Sequence, residues 1–124
     1  MDFGTKNIQV SIQQYPRHTK LKLTWNYDFD EICLVADAVL GICQKAGKQF
    51  ALVDAHEVVG AVPNLDRFYL GKRVAEVWGG KIKAALVVEG ATINRLFENT
   101  AVNRYARVAL FADEETALDW LFNN

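Results

Sequence analysis

Phe50-Ala51-Leu52-Val53-Asp54 is a short, almost wholly apolar run closed by a carboxylate. A run of that length is the pattern of a strand buried on both faces, and such strands belong to parallel sheets covered by helices. The pattern recurs in Ile82-Lys83-Ala84-Ala85-Leu86-Val87-Val88 and again from Ala106 to Phe111. Helical spacing fills the intervals. Asn64 is placed to cap a helix in which Leu70, Val74, Val77 and Trp78 form one stripe, and Gly79-Gly80 ends it. A further helix is predicted from about Thr92 to Asn103, with Ile93, Leu96, Phe97 and Ala101 facing inward. Asp113 caps a closing helix, with Glu114 and Glu115 set against its positive end, buried through Ala117, Leu118 and Leu121 with Trp120 at the margin.

Upstream of Phe50 the period changes. Residues 7–15 alternate, with Ile8, Val10 and Ile12 on one face. After the turn Pro16-Arg17-His18-Thr19, in which His18 is expected to be solvated, Leu21, Leu23 and Trp25 alternate with Lys20, Lys22 and Thr24. Two alternating runs joined by a short turn form a hairpin, whose lysines suit an exposed face or edge. Asp28 stands three residues before Glu31, the reciprocal spacing of a capping box, and opens a helix reaching Lys45 through Ile32, Val35, Ala36, Val39, Leu40 and Cys43, with Gly47 as its stop. The fold class is therefore α/β, with one domain over 1–124: an N-terminal β-hairpin followed by αβαβαβα. This implies a mixed, mostly parallel five-stranded sheet with four helices.

The 124 residues carry 51% hydrophobic and 23% charged side chains and a net charge of -1. That balance offers no electrostatic reason to expect nucleic acid or an anionic membrane as partner. No apolar run approaches the roughly 18 residues of a membrane span, so no stable membrane insertion is expected. The first residues lack the pattern of a signal peptide. Cys33 and Cys43 lie ten residues apart on one helix, a rise of about 15 Å against the ~7 Å limit for a disulfide. They read as free, buried thiols in a reducing compartment, and the chain is expected to be cytoplasmic.

Ligands of open α/β sheets sit outside the carboxyl ends of the strands. That edge carries Asp54, His56 and Glu57, then Glu89 and Thr92, then Asp113. Asp54, His56, Glu57 and Glu89 form a candidate polar site. Asp54 and His56 are two residues apart in an expected loop, without the ligand spacing a metal needs. The simpler reading has Asp54 and Asp113 accepting hydrogen bonds from loop and helix-start amides. No catalytic residue, metal ligand or cofactor is assigned. Arg95, Arg104 and Arg107, with Asn99 and Asn103, read as a solvated face. The segment 57–63 is unusual for a loop in being apolar at Val58, Val59, Ala61 and Val62, with Phe68 and Tyr69 just beyond. It either folds over the core or marks a contact surface, and Val58, Val59, Val62, Phe68 and Tyr69 are the candidate interaction residues.

The element order, together with Phe50-Ala51-Leu52-Val53-Asp54 before a loop and helix, resembles the STAS domain family, which includes the bacterial anti-sigma factor antagonists. The ending Val108-Ala109-Leu110-Phe111-Ala112-Asp113-Glu114-Glu115-Thr116-Ala117-Leu118-Asp119-Trp120-Leu121 is similar to the close of small bacterial STAS-like proteins. The resemblance covers roughly residues 7–122 and implies a STAS-like domain. It also implies a non-enzymatic regulatory module with a protein partner or self-association. Antagonists of that family are switched by phosphorylation of a hydroxyl at the start of the helix after the third strand. Here Ala55-His56-Glu57-Val58-Val59-Gly60-Ala61-Val62-Pro63-Asn64-Leu65-Asp66 contains no hydroxyl, and the only serine is Ser11. A phosphate switch at that place has no acceptor. The alternative is a small apolar or amphipathic ligand in a cleft beside the sheet. The lipid-carrying CRAL-TRIO domains with a similar sheet are much larger, and 124 residues are expected to leave little volume for such a pocket. An enzyme using Asp54 and His56 stands last.

Overall fold

The computed structural model describes residues 2–90 and 93–123. Six strands form one sheet whose spatial order follows the chain: β1 (Asp2–Gly4), β2 (Ile8–Gln14), β3 (Thr19–Asn26), β4 (Phe50–Val59), β5 (Lys83–Val87) and β6 (Arg107–Phe111). The first three pair antiparallel and the last four run parallel. The helices are α1 (Phe29–Lys45), α2 (Asn64–Trp78), α3 (Arg95–Val102) and α4 (Glu114–Asn123).

The sheet has six strands, not the expected five. The extra strand, β1, is too short to show a period, and its pairing with Gln9, Val10 and Ser11 of β2 makes it a strand. Helix α2 starts one residue earlier than its expected cap: Pro63 is the N-cap and Asn64 the first helical residue. Helix α3 begins at Arg95 behind an Asn94 cap whose side chain accepts from the Leu96 amide, whereas Thr92, its expected start, lies outside the described residues.

Successive residues of β4 serve opposite layers, as the pleat requires. Ala51 and Val53 join Val35 and Val39 of α1, Val74 and Trp78 of α2, and Phe97 of α3 in the larger core. Leu52 instead packs with Ala85, Val87, Ala117 and Leu121 under α4. Three helices thus cover one face and one helix the other. Trp25, expected on one face with Leu21 and Leu23, is 52% exposed, and its φ of 85 breaks the alternation of the strand there.

Local contacts fix the helix ends. The Asp28 carboxylate accepts from the Glu31 amide at 3.0 Å. Glu31 does not return the bond as a capping box would. Its two oxygens accept from the backbone and side-chain nitrogens of Asn7 at 2.7 and 2.5 Å, tying the start of α1 to the β1–β2 turn. Donors from Thr5 and Asn7 hold the Glu31 carboxyl below its ordinary value. Helix α4 has no cation in its last turn. The buried Lys83 ammonium serves instead, donating to the carbonyls of Trp120 and Leu121 at 2.8 and 3.0 Å and lying 4.4 Å from the Trp120 ring centre. That satisfies carbonyls a helix end leaves open.

His18 is buried at 9% exposure rather than solvated. Its ring stacks on Tyr15 at 4.8 Å and meets Phe122 edge-on at 5.5 Å, so the hairpin turn clasps the end of α4. Burial pushes its pKa below the ordinary 6.5, with Lys48 and Lys20 in the same direction and Glu114 opposing them. The neutral ring therefore stabilises the fold fully above 6.5, and this contribution is lost as pH falls through the lower folded-state value. Thermal melts should show stability declining as pH falls from 6.5 towards that lower value and this contribution levelling off beneath it, and His18→Asn should flatten the decline. Gly71 tests the α2–α3 contact. A Cβ there would lie 2.8 Å from the Phe97 carbonyl and 2.9 Å from Thr100 Cβ. Gly71→Ala should lower stability by about 1–3 kcal/mol in denaturant titrations.

Candidate functional site

The expected loop 55–63 is a loop only from Gly60 onward. Strand β4 continues to Val59 because its second half keeps pairing with β3: Thr24 lies opposite Glu57, Trp25 opposite Val58 and Asn26 opposite Val59. Between the pairs Lys22–Asp54 and Thr24–Glu57 the register shifts, so Ala55 and His56 share one opposing residue. Such a bulge adds a residue without breaking the ladder. It allows Ala55 and Val58, an odd number of residues apart, to face the same layer.

That layer holds a cavity of about 520 Å³. Its floor is the sheet, through Leu23, Val53, Ala55, Val58, Leu86 and Leu110. One wall is the α1 stripe Ile32, Val35, Ala36 and Val39, and the opposite wall is Leu70, Val74 and Trp78 of α2 with Phe97 of α3. Gly60, Ala61 and Val62 form the roof at the carboxyl edge. The expectation that 124 residues leave little volume for such a pocket is overturned. The reason lies in the small side chains at Ala36, Ala55, Gly60 and Ala61, which take up little of the gap between sheet and helices.

Polar groups are confined to the mouth, where Tyr27, Arg67, Glu89 and Asn94 stand. The Tyr27 hydroxyl donates to Asp66 at 2.8 Å, joining the chain before α1 to the first turn of α2. Burial, then the bond to Asp66, raises the Tyr27 pKa, so the phenol stays protonated. Arg67 Nε donates to the Val62 carbonyl at 3.1 Å and pins the far end of the roof. The near end is held by the Tyr27 amide donating to the Val59 carbonyl at 2.8 Å. Gly60, at φ +123, makes the turn between them, where a side chain would be strained and would lie 3.4 Å from Tyr27 Cβ.

The five candidate interaction residues do not share a surface. Val58 and Val62 line the cavity, while Val59 is 66% exposed on the outside. Phe68 is half-buried, edge-on to Tyr69 at 5.5 Å and beneath the Arg104 guanidinium. Tyr69 is exposed farther along α2. The polar candidates also divide. Glu89 stands at the cavity mouth, whereas Asp54 lies on the Leu52 face, buried at 7%. Asp54 accepts from both the backbone amide and the Nδ1 of His56. Glu57 pairs with Lys22 at 2.6 Å. Among the described residues no group of three or more His, Cys, Asp or Glu could hold a metal, and no helix is long and apolar enough to cross a membrane. Cys33 and Cys43 are buried, free thiols. Tyr27, Arg67 and Asn94 were not singled out from the sequence. Arg67 and Asn94 carry no periodic signal, and the α1 stripe reads equally well as closed core.

No family model matches the chain, and no curated protein matches it. Several solved structures resemble it, among them the following two. An anti-sigma factor antagonist from Mycobacterium paratuberculosis superposes with a TM-score of 0.62 at 13% identity, over 92% of this chain and 93% of that one. An uncharacterised protein with a SpoIIAA-like fold from Shewanella loihica aligns at 21% identity over 98% of both chains, with a TM-score of 0.47. The first of these shows that the chain has the STAS-like fold of an anti-sigma factor antagonist.

The Asp54 carboxylate can only accept, so neutral His56 carries its proton on Nδ1 and turns Nε2 outward. Long-range nitrogen–proton spectra at a pH where the ring is neutral should show the Nδ1–H form, and Asp54→Ala should move the population towards Nε2–H.

Proposed function

We propose that this chain is a non-catalytic binding module of STAS-like fold that takes a small apolar or amphipathic molecule into the cavity between the sheet and α1–α3. The observation that carries this reading is the cavity, about 520 Å³ with aliphatic and aromatic walls and its polar residues at the mouth. That volume lies in the range of small-molecule sites, and transfer of apolar surface from water into it supplies the driving force. An amphipathic ligand would bury its apolar part and keep its polar end beside Tyr27, Arg67, Glu89 and Asn94.

The reading also accounts for what is missing. The start of α2, Pro63-Asn64-Leu65-Asp66, bears no hydroxyl for a phosphate. The segment just before it closes the cavity instead, so occupancy takes the place of phosphorylation as the local signal. Asp54 and His56 lie on the opposite face of the sheet, where Asp54 accepts from the His56 amide and ring nitrogen. The free thiols fit a reducing, cytoplasmic setting. A second reading, contact with a protein partner through the outer side of the same segment, is favoured by the exposure of Val59, Leu65 and Tyr69.

The test is titration with 1-anilinonaphthalene-8-sulfonate and with a series of straight-chain alcohols as competitors. The native chain should bind the probe at one site and release it more readily to longer alcohols. Ala55→Phe fills the floor and should weaken probe binding at least tenfold without loss of fold, whereas Val59→Asp, on the outside, should leave it unchanged. Equal binding by Ala55→Phe and the native chain would refute the cavity as the site.

A further inference from the structure

Among the described residues two non-glycine positions have positive φ, and both are exposed aromatics: Trp25 at φ 85 and Tyr105 at φ 74. Tyr105 follows α3 in a hydrogen-bonded stop. The Ala106 amide donates to the Ala101 carbonyl and the Tyr105 amide to the Val102 carbonyl, at 3.1 and 3.0 Å. That is the Schellman arrangement, and its left-handed residue is ordinarily glycine. Here it is a tyrosine with 87% of its surface in water. Trp25, at the end of β3, is 52% exposed. Neither ring has an aromatic or cation contact among the described residues. A bulky side chain in a left-handed backbone costs folding free energy, and nothing inside the molecule repays it. Such outliers cluster at functional sites, and tyrosine and tryptophan carry much of the binding energy where proteins meet.

The two rings stand at opposite ends of the parallel strands and in opposite charge environments. Around Tyr105 are Lys81, Arg104 and Arg107, and from Asn99 to Ala112 there is no acidic residue. Around Trp25 are Asp28, Glu31 and Glu57, the last of them ion-paired with Lys22, with exposed Val59 one pair along the β3–β4 ladder. Asp30 and Glu31 in the first turn of α1 and Asp66 in that of α2 lie at that edge, and Lys45 in the last turn of α1 lies at the other.

We propose that copies of this chain associate head to tail, the basic Tyr105 end of one against the acidic Trp25–Val59 end of the next. Each copy carries one of each complementary end, so the contact is heterologous and repeats along a line. Opposite charges align the copies, and the two strained aromatics supply the apolar anchors. This is independent of the ligand reading and can hold or fail without it.

Sedimentation velocity over a range of protein concentrations tests it. At low salt the native chain should sediment faster as concentration rises, and at salt high enough to shorten the screening length to about 3 Å it should revert to monomer. Tyr105→Gly should abolish association while raising the melting temperature by a few degrees, since glycine accepts the left-handed backbone without strain. Arg107→Glu, which leaves that turn untouched, should abolish association as well. Trp25→Asn should be monomeric alone, yet an equimolar mixture with Tyr105→Gly should form a one-to-one dimer and nothing larger, because one intact end remains on each. A native chain that stays monomeric throughout, a Tyr105→Gly variant that associates undiminished, or a mixture that fails to pair would each overturn the proposal.

Discussion

The pairing of β4 with β3 past Asp54 is the constraint on which the carboxyl edge depends. If β4 ended with its apolar run, residues 55–63 would be a free loop and the space between sheet and helices would stand open. Pairing to Val59 across a one-residue bulge extends the sheet, places Ala55 and Val58 on its floor, and leaves a short segment to roof the gap. Both ends of that roof are held by hydrogen bonds, from the Tyr27 amide and from Arg67 Nε. The glycine between them permits the turn. A folded domain and a preformed apolar cavity thus follow from one strand pairing.

Much of this was legible beforehand where local chemistry and burial agree. The buried strands around Leu52, Ala85 and Ala109 are apolar on both sides, so a run of such residues can mean little else. Asp28 and Asp113 announce their helices because a carboxylate accepting an amide is a local event, and both do so here. The misses share the opposite character. Strand β1 exists only through its partner β2, and residues 55–59 are a strand only because β3 lies alongside. Glu31 turns to Asn7, twenty-four residues away, in place of its own helix start. His18 is buried by Phe122, contributed from the far end of the chain. Sequence periodicity reports neighbours along the chain, and these positions are decided by neighbours across it.

The candidate site was legible in place but not in kind. The apolar residues Val58, Val59 and Val62 drew attention to the right segment, but their pleat and roof positions send two of them inward and one outward. The cavity could not be foreseen from Ile32, Val35 and Val39, because a stripe lining a void has the same spacing as a stripe meeting a neighbour. What separates them is the size of the residues opposite, and Ala36, Ala55 and Ala61 are small. Dense interiors leave few spaces of this size.

On the proposed reading, an apolar molecule enters the larger core and leaves the smaller one untouched. Methyl-resolved nuclear magnetic resonance on chain labelled at its Leu, Ile and Val methyl groups measures this directly, with a straight-chain alcohol added stepwise. Saturable shifts are expected at Leu23, Ile32, Val58 and Leu70, with Leu52 and Leu121 unmoved. Shifts spread evenly over surface methyl groups, or confined to Leu52 and Leu121, would contradict it.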